Sequence, residues 1–70
     1  MSPEIMDTAG AAKYLALSRP TLERLRLTGK GPQYAKLSPG HRGPVRYRRA
    51  DLDAWLASRL VRSTSEALEG

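Results

Sequence analysis

Seventy residues with a net charge of +5 and no cysteine make one small domain, with no disulfide and no Cys-based metal site to hold it together. Such a chain buries only about 60% of its unfolded surface, so its core is thin and a deep substrate pocket is not expected. No apolar run approaches the ~18 residues of a membrane span and no signal-peptide layout opens the chain, which predicts a cytoplasmic protein.

Residues 1–7 form a short N-terminal arm on this pattern. Thr8 is the expected N-cap of a first helix over about 9–15, with Asp7 beside it at the positive end of the helix dipole and Ala11, Ala12 and Leu15 on one face. Gly10 weakens that helix slightly. After a tight turn at Ala16 and Leu17, Ser18 is a second N-cap, Pro20 falls in the first helical turn and Gly29 supplies a left-handed stop. This predicts a helix over 19–28, pinned by Leu22 and Leu25. Beyond "GKGP" the period changes to alternation. "QYAKL" and "VRYR" are short candidate strands, joined by the turn-rich "SPGHRGP" into a hairpin. A third helix is predicted over about 49–60, with Leu52, Trp55, Leu56 and Leu60 on its apolar face and Asp51 and Asp53 near its positive end. Residues 61–70 are a polar tail, leaving 8–60 as the folded domain.

The first two helices fit a helix-turn-helix template. Ala12 is small where the second helix crosses, Ala16 makes the turn four residues later, and Leu15, Leu17, Leu22 and Leu25 fill the inward positions. Ala16 in a left-handed conformation costs roughly 1–2 kcal/mol, a strain that glycine would avoid. The ordered set "TAGAAKYLALSRPTLERLRLTGKGP", then "AKL" and "VRYRRADLDAWL", resembles the small winged helix-turn-helix proteins of the excisionase and MerR-like group, including phage-encoded excisionases and AlpA-type regulators. It departs from that group at Ala16, where glycine is usual, and in its longer hairpin tip. The resemblance covers 6–60 and implies a mostly α fold with a small β-hairpin. It also implies DNA binding by copies lined up along repeated sites, in site-specific recombination beside an integrase or in transcription regulation.

Charge points the same way. Between Lys13 and Arg49 ten Lys and Arg face the single acid Glu23, while both ends of the chain are acidic, which is the electrostatic outline of a polyanion binder. On the second helix, Leu22 and Leu25 define the buried side at about 100° per residue, so Arg24 points outward and Arg19, Thr21 and Arg26 lie on the flanks. Arg19 and Arg24 are the expected base readers, because Arg can grip guanine O6 and N7 together; Thr21 and the Pro20 ring suit thymine methyl groups. Ser18, Arg26, Lys30, Lys36 and Arg48 are assigned to backbone phosphates. Arg42 and Arg46 on the wing are placed for a phosphate or the adjacent minor groove. His41 is more readily an exposed polar residue of the wing than a metal ligand. Tyr34 and Tyr47 can stack on bases, although a wing tyrosine more often packs on the helices with its hydroxyl in water. Leu27 points away from the Leu22 face and is expected under the hairpin.

No catalytic set stands out: there is one His, Asp51 and Asp53 diverge on their helix, and "GKGP" lacks the strand-loop-helix setting of a phosphate cradle. No enzyme activity, cofactor or metal is expected. The competing reading is a winged-helix adaptor that grips a protein, which leaves the outward arginines without a reason.

Overall fold

The computed structural model describes residues 3–40 and 43–61. Its elements are β1 (Ile5–Met6), α1 (Thr8–Tyr14), α2 (Arg19–Thr28), β2 (Ala35–Lys36), β3 (Val45–Arg48) and α3 (Arg49–Ser58). The strands form one antiparallel sheet in the order β1-β3-β2. This is a small winged helix-turn-helix: α1 and α2 are the paired helices, β2 and β3 are the wing, and α3 closes the domain.

The N-terminal arm is not a free segment throughout. Ile5 pairs with Arg48 and Met6 with Tyr47, so β3 is the central strand. Two residues carry too little alternation to announce a strand, and it takes β3 to supply the missing hydrogen-bond partners. The Arg49 backbone N–H, one of the orphan donors at the start of α3, donates to the Glu4 carbonyl at 2.7 Å.

Asp7, not Thr8, caps α1: its carboxylate accepts from the Gly10 backbone N–H at 2.8 Å. The carboxylate caps because Thr8 has turned inward as the first helical residue, where it is buried. Both helices of the motif then end in the same way. At the end of α1 the Leu17 N–H reaches back to the Ala12 carbonyl and the Ala16 N–H to Lys13; at the end of α2 the Lys30 N–H reaches Leu25 and the Gly29 N–H reaches Arg26. That paired pattern needs a left-handed residue at its centre. The two centres are Ala16 at φ 58° and Gly29 at φ 73°. Ala16 is the only described non-glycine residue with positive φ, so the expected strain is present. Ala16→Gly is therefore expected to stabilise the domain by about 1 kcal/mol, seen as a higher thermal midpoint.

Ser18 caps α2 as the sequence predicts, its hydroxyl accepting from the Thr21 N–H at 3.3 Å, with Pro20 in the first turn. Just past α2, Gly31 passes so close that a Cβ there would stand 2.9 Å from Leu25 Cβ. A side chain at 31 would push the connection off the helix.

The core consists of Met6, Ala11, Ala12, Leu22, Tyr47 and Leu52, with Tyr14, Leu15 and Val45 packed against it. Ala11 and Ala12 leave no room for more than a methyl, which lets α2 and β3 close on α1. On β3 the side chains alternate as a strand requires, with Tyr47 fully buried and Arg48 exposed. The apolar face of α3 is narrower than its sequence predicts. Only Leu52 is fully buried; Trp55 is half-buried, and Leu56 and Leu60 are exposed at 47% and 77%. The helix also stops at Ser58, two residues earlier than its sequence predicts. Leu27 does not pack under the hairpin either, being 86% exposed. The residues 62–70 of the expected tail lie outside the described part.

Candidate nucleic-acid interface

On α2, Pro20, Arg24 and Leu27 lie within roughly 60° of one another on the side opposite Leu22, and all three are exposed. Arg24 makes no hydrogen bond or ion pair among the described residues. A long cation held away from every described carboxylate on the outer face of a capped helix can reach an anion outside the domain. Thr21 is exposed beside it, with its hydroxyl 2.8 Å from that of Ser18, so both side chains are tied together at the helix entrance.

The remaining arginines differ in how they are held. Arg19 donates from Nε to Glu23 Oε2 at 3.3 Å, an exposed pair one turn apart. Such a pair contributes little stability but leaves both terminal nitrogens of Arg19 unused. Arg26 is half-buried: Nη1 donates to Thr8 Oγ1 and to the Tyr47 hydroxyl, both at 3.2 Å, while the guanidinium lies 5.8 Å from the Tyr34 ring centre. The Tyr47 hydroxyl is thus not in water but accepts from Arg26 inside the fold. Tyr34 stays 39% exposed, its ring 5.9 Å from that of Tyr47.

Arg48 forms a two-pronged pair with Asp51 at 2.6 and 2.8 Å. Accepting those bonds holds the Asp51 carboxyl below its ordinary pKa and raises that of Arg48. On the wing, Arg46 is half-buried and donates from Nη1 to the Val45 carbonyl at 2.8 Å, and Lys36 is exposed. His41 and Arg42 lie outside the described residues.

The far end of α2 is anchored through one carbonyl. Lys30 O accepts from Trp55 Nε1 at 2.9 Å and from Arg59 Nη2 at 2.7 Å, and Arg59 lies 5.2 Å from the centre of the Trp55 ring. This fixes the Lys30 backbone on α3 and leaves its exposed ammonium free to reach outward. A second tie joins α1 to α3: the Tyr14 hydroxyl donates to Asp53 Oδ1 at 2.5 Å, and that bond raises the Tyr14 pKa.

The structure thus brings Ser18, Arg19, Thr21, Arg24 and Arg26 onto one helix, with Arg46 across a cleft on the wing. It engages Arg48 with Asp51 and draws Arg26 partly inward. Sequence patterning singles out Thr8 as a helix cap and Tyr47 as a wing aromatic, and misses that both hold Arg26. That role has no local signal, since it comes from meeting one arginine across three elements.

Among the described residues no helix is long and apolar enough to cross a membrane, and no group of three or more His, Cys, Asp or Glu is gathered as for a metal ion. Residues 5–60 match the family described as a helix-turn-helix domain. No curated protein matches the chain significantly.

Proposed function

Because the chain belongs to the helix-turn-helix domain family, we propose that it binds double-stranded DNA sequence-specifically, with the first turns of α2 in the major groove and the β2–β3 wing on the backbone or adjacent minor groove. The observation that carries this reading is Arg24, exposed and without a partner among the described residues at the centre of the outward face of α2. Arg24 is the principal base reader. Arg19, held at its Nε by Glu23, is the second, and Pro20 and Thr21 meet thymine methyl groups. Ser18, Arg26, Lys30, Lys36 and Arg48 serve phosphates, as does the wing through Arg46, Arg42 and His41. Arg48 can do so only by sharing its guanidinium with Asp51.

A single module of this kind buries about 600–1,000 Å², too little for tight specific binding alone. Several copies therefore occupy repeated sites side by side, and the biological role is that of an excisionase-type directionality factor acting with an integrase, or of a small transcription regulator. No cofactor takes part, and the place of action is the cytoplasm.

The test is a salt titration of binding to a pool of random duplexes, with bound sequences recovered at each step. If about five phosphates are neutralised, the log–log slope is expected near −4.5, a loss of roughly 500-fold between 50 and 200 mM salt, with a motif among the recovered sequences. A steep slope without any motif would instead identify a non-specific architectural binder.

A further inference from the structure

Every described carboxylate is already committed. Asp7 caps α1, Glu4 lies 3.7 Å from Arg49, Glu23 holds Arg19, Asp51 holds Arg48 and Asp53 accepts from Tyr14. Two half-buried arginines are left over. Arg26 meets two hydroxyls and an aromatic ring, Arg46 meets one carbonyl, and neither meets a carboxylate among the described residues. A guanidinium drawn partly out of water without a counter-ion gives up hydration that no neutral partner fully restores, and an anion would restore it.

Both arginines line the same cleft of about 360 Å³, between the start of α1, the flank of α2 and β3. Arg19 and Glu23 line it too, but they neutralise each other. Asp7 is a third charged group on its wall, but its carboxylate is turned to the Gly10 N–H as the cap of α1, so the two arginines leave the cleft with a surplus of one positive charge. Arg26 is also prepared for a ligand: Nη1 spends both its protons on Thr8 and Tyr47. The guanidinium is thereby held from one end, while its Nε and Nη2 protons have no acceptor among the described residues. A planar fork fixed in this way is suited to two oxygens of one tetrahedral anion.

The geometry points to a built phosphate seat in this cleft, formed by Arg26 and Arg46 and buttressed by Thr8 and Tyr47, which takes one phosphodiester of the DNA backbone and so sets the register of α2 on the duplex. This rests on the DNA-binding reading. It goes beyond it by naming one phosphate that matters more than its neighbours, and by giving Thr8 and Tyr47 positioning roles in binding. The backbone of a duplex is favoured over a free anion because Arg26, Gly43 and Val45 also line a neighbouring hollow that holds the exposed cation Lys36 on the wing, a spread of charge that one small ion cannot use.

The test replaces one phosphate at a time in a bound duplex by a neutral methylphosphonate and measures the affinity of wild type, Arg46→Gln and Arg26→Lys. For wild type, one position is expected to lose about tenfold, the scale of one charge-assisted hydrogen bond. In Arg46→Gln that loss shrinks to about twofold or less, while losses at other positions are unchanged, a coupling that a merely structural role does not produce. Among the described residues the Arg46 side chain makes only one hydrogen bond, to its neighbour's carbonyl, so this variant keeps the fold even if Arg26→Lys does not. Tyr47→Phe, which removes one buttress, should weaken the same position alone. Equal losses at every phosphate, unchanged in Arg46→Gln, would overturn the seat and leave DNA binding standing. Saturation of the Arg26 Nε–H signal by submillimolar inorganic phosphate, without coupling to any DNA position, would overturn it in favour of a free anion. Failure to bind any duplex would overturn the DNA-binding reading itself.

Discussion

Arg24→Ala is expected to lower affinity for the recovered duplex by about 5- to 150-fold, the equivalent of 1–3 kcal/mol for one bidentate guanine contact. Affinity for unrelated duplexes should fall far less, because only one of several cations is removed and the rest still gather phosphates. Base preference should relax at one or two adjacent positions and stay sharp elsewhere. The thermal midpoint should not move, since Arg24 is exposed and makes no hydrogen bond among the described residues. Arg24→Lys should recover the non-specific part but little of the sequence preference, because an ammonium is a point charge and lacks the planar fork. Competition binding with the recovered duplex and a scrambled one measures both parts. A uniform loss on both duplexes would move Arg24 from base reading to phosphate contact.

The largest effect on stability is expected at Leu22. Its side chain is wholly buried between the two helices of the motif and the sheet, and truncation to alanine costs about 2–5 kcal/mol through lost transfer free energy and the cavity left behind. A core in a domain of this size rarely supplies more than about 3–5 kcal/mol of net stability. Leu22→Ala should therefore be substantially unfolded near room temperature, or have its melting midpoint lowered by about 8 °C or more. Far-UV circular dichroism on heating measures it. Leu27→Ala, five residues further along the same helix, is the contrast: with 86% of the residue in water its stability should stay within about 0.5 kcal/mol of wild type. Two leucines that look alike in the sequence differ this much because only one of them meets Ala11, Ala12 and Tyr47.

Local chemistry accounts for most of what the amino-acid order determined by itself. The bounds of α2 follow from Ser18, Pro20 and Gly29 because caps and left-handed stops act over three or four residues and need no distant partner. The strained turn at Ala16 is legible for the same reason. The sites of the hairpin and of α3 follow from a change of period, and the concentration of cations between residues 13 and 49 from counting. Tertiary structure decided what depends on neighbours remote in the chain. It made a strand of Ile5 and Met6, because β3 offered them hydrogen bonds. It gave the cap of α1 to Asp7 by burying Thr8, and it left Leu27, Leu56 and Leu60 in water because the domain is too small to cover three full helix faces. It also sorted cations that are equivalent in composition. Arg19 and Arg48 found carboxylates one helical turn away, Arg24 found none, and Arg26 found a threonine and a tyrosine eighteen and twenty-one residues distant. Charge alone marked the surface, and packing assigned each arginine its task on it, since a guanidinium's orientation is set by whichever acceptors the fold brings within 3.5 Å of it.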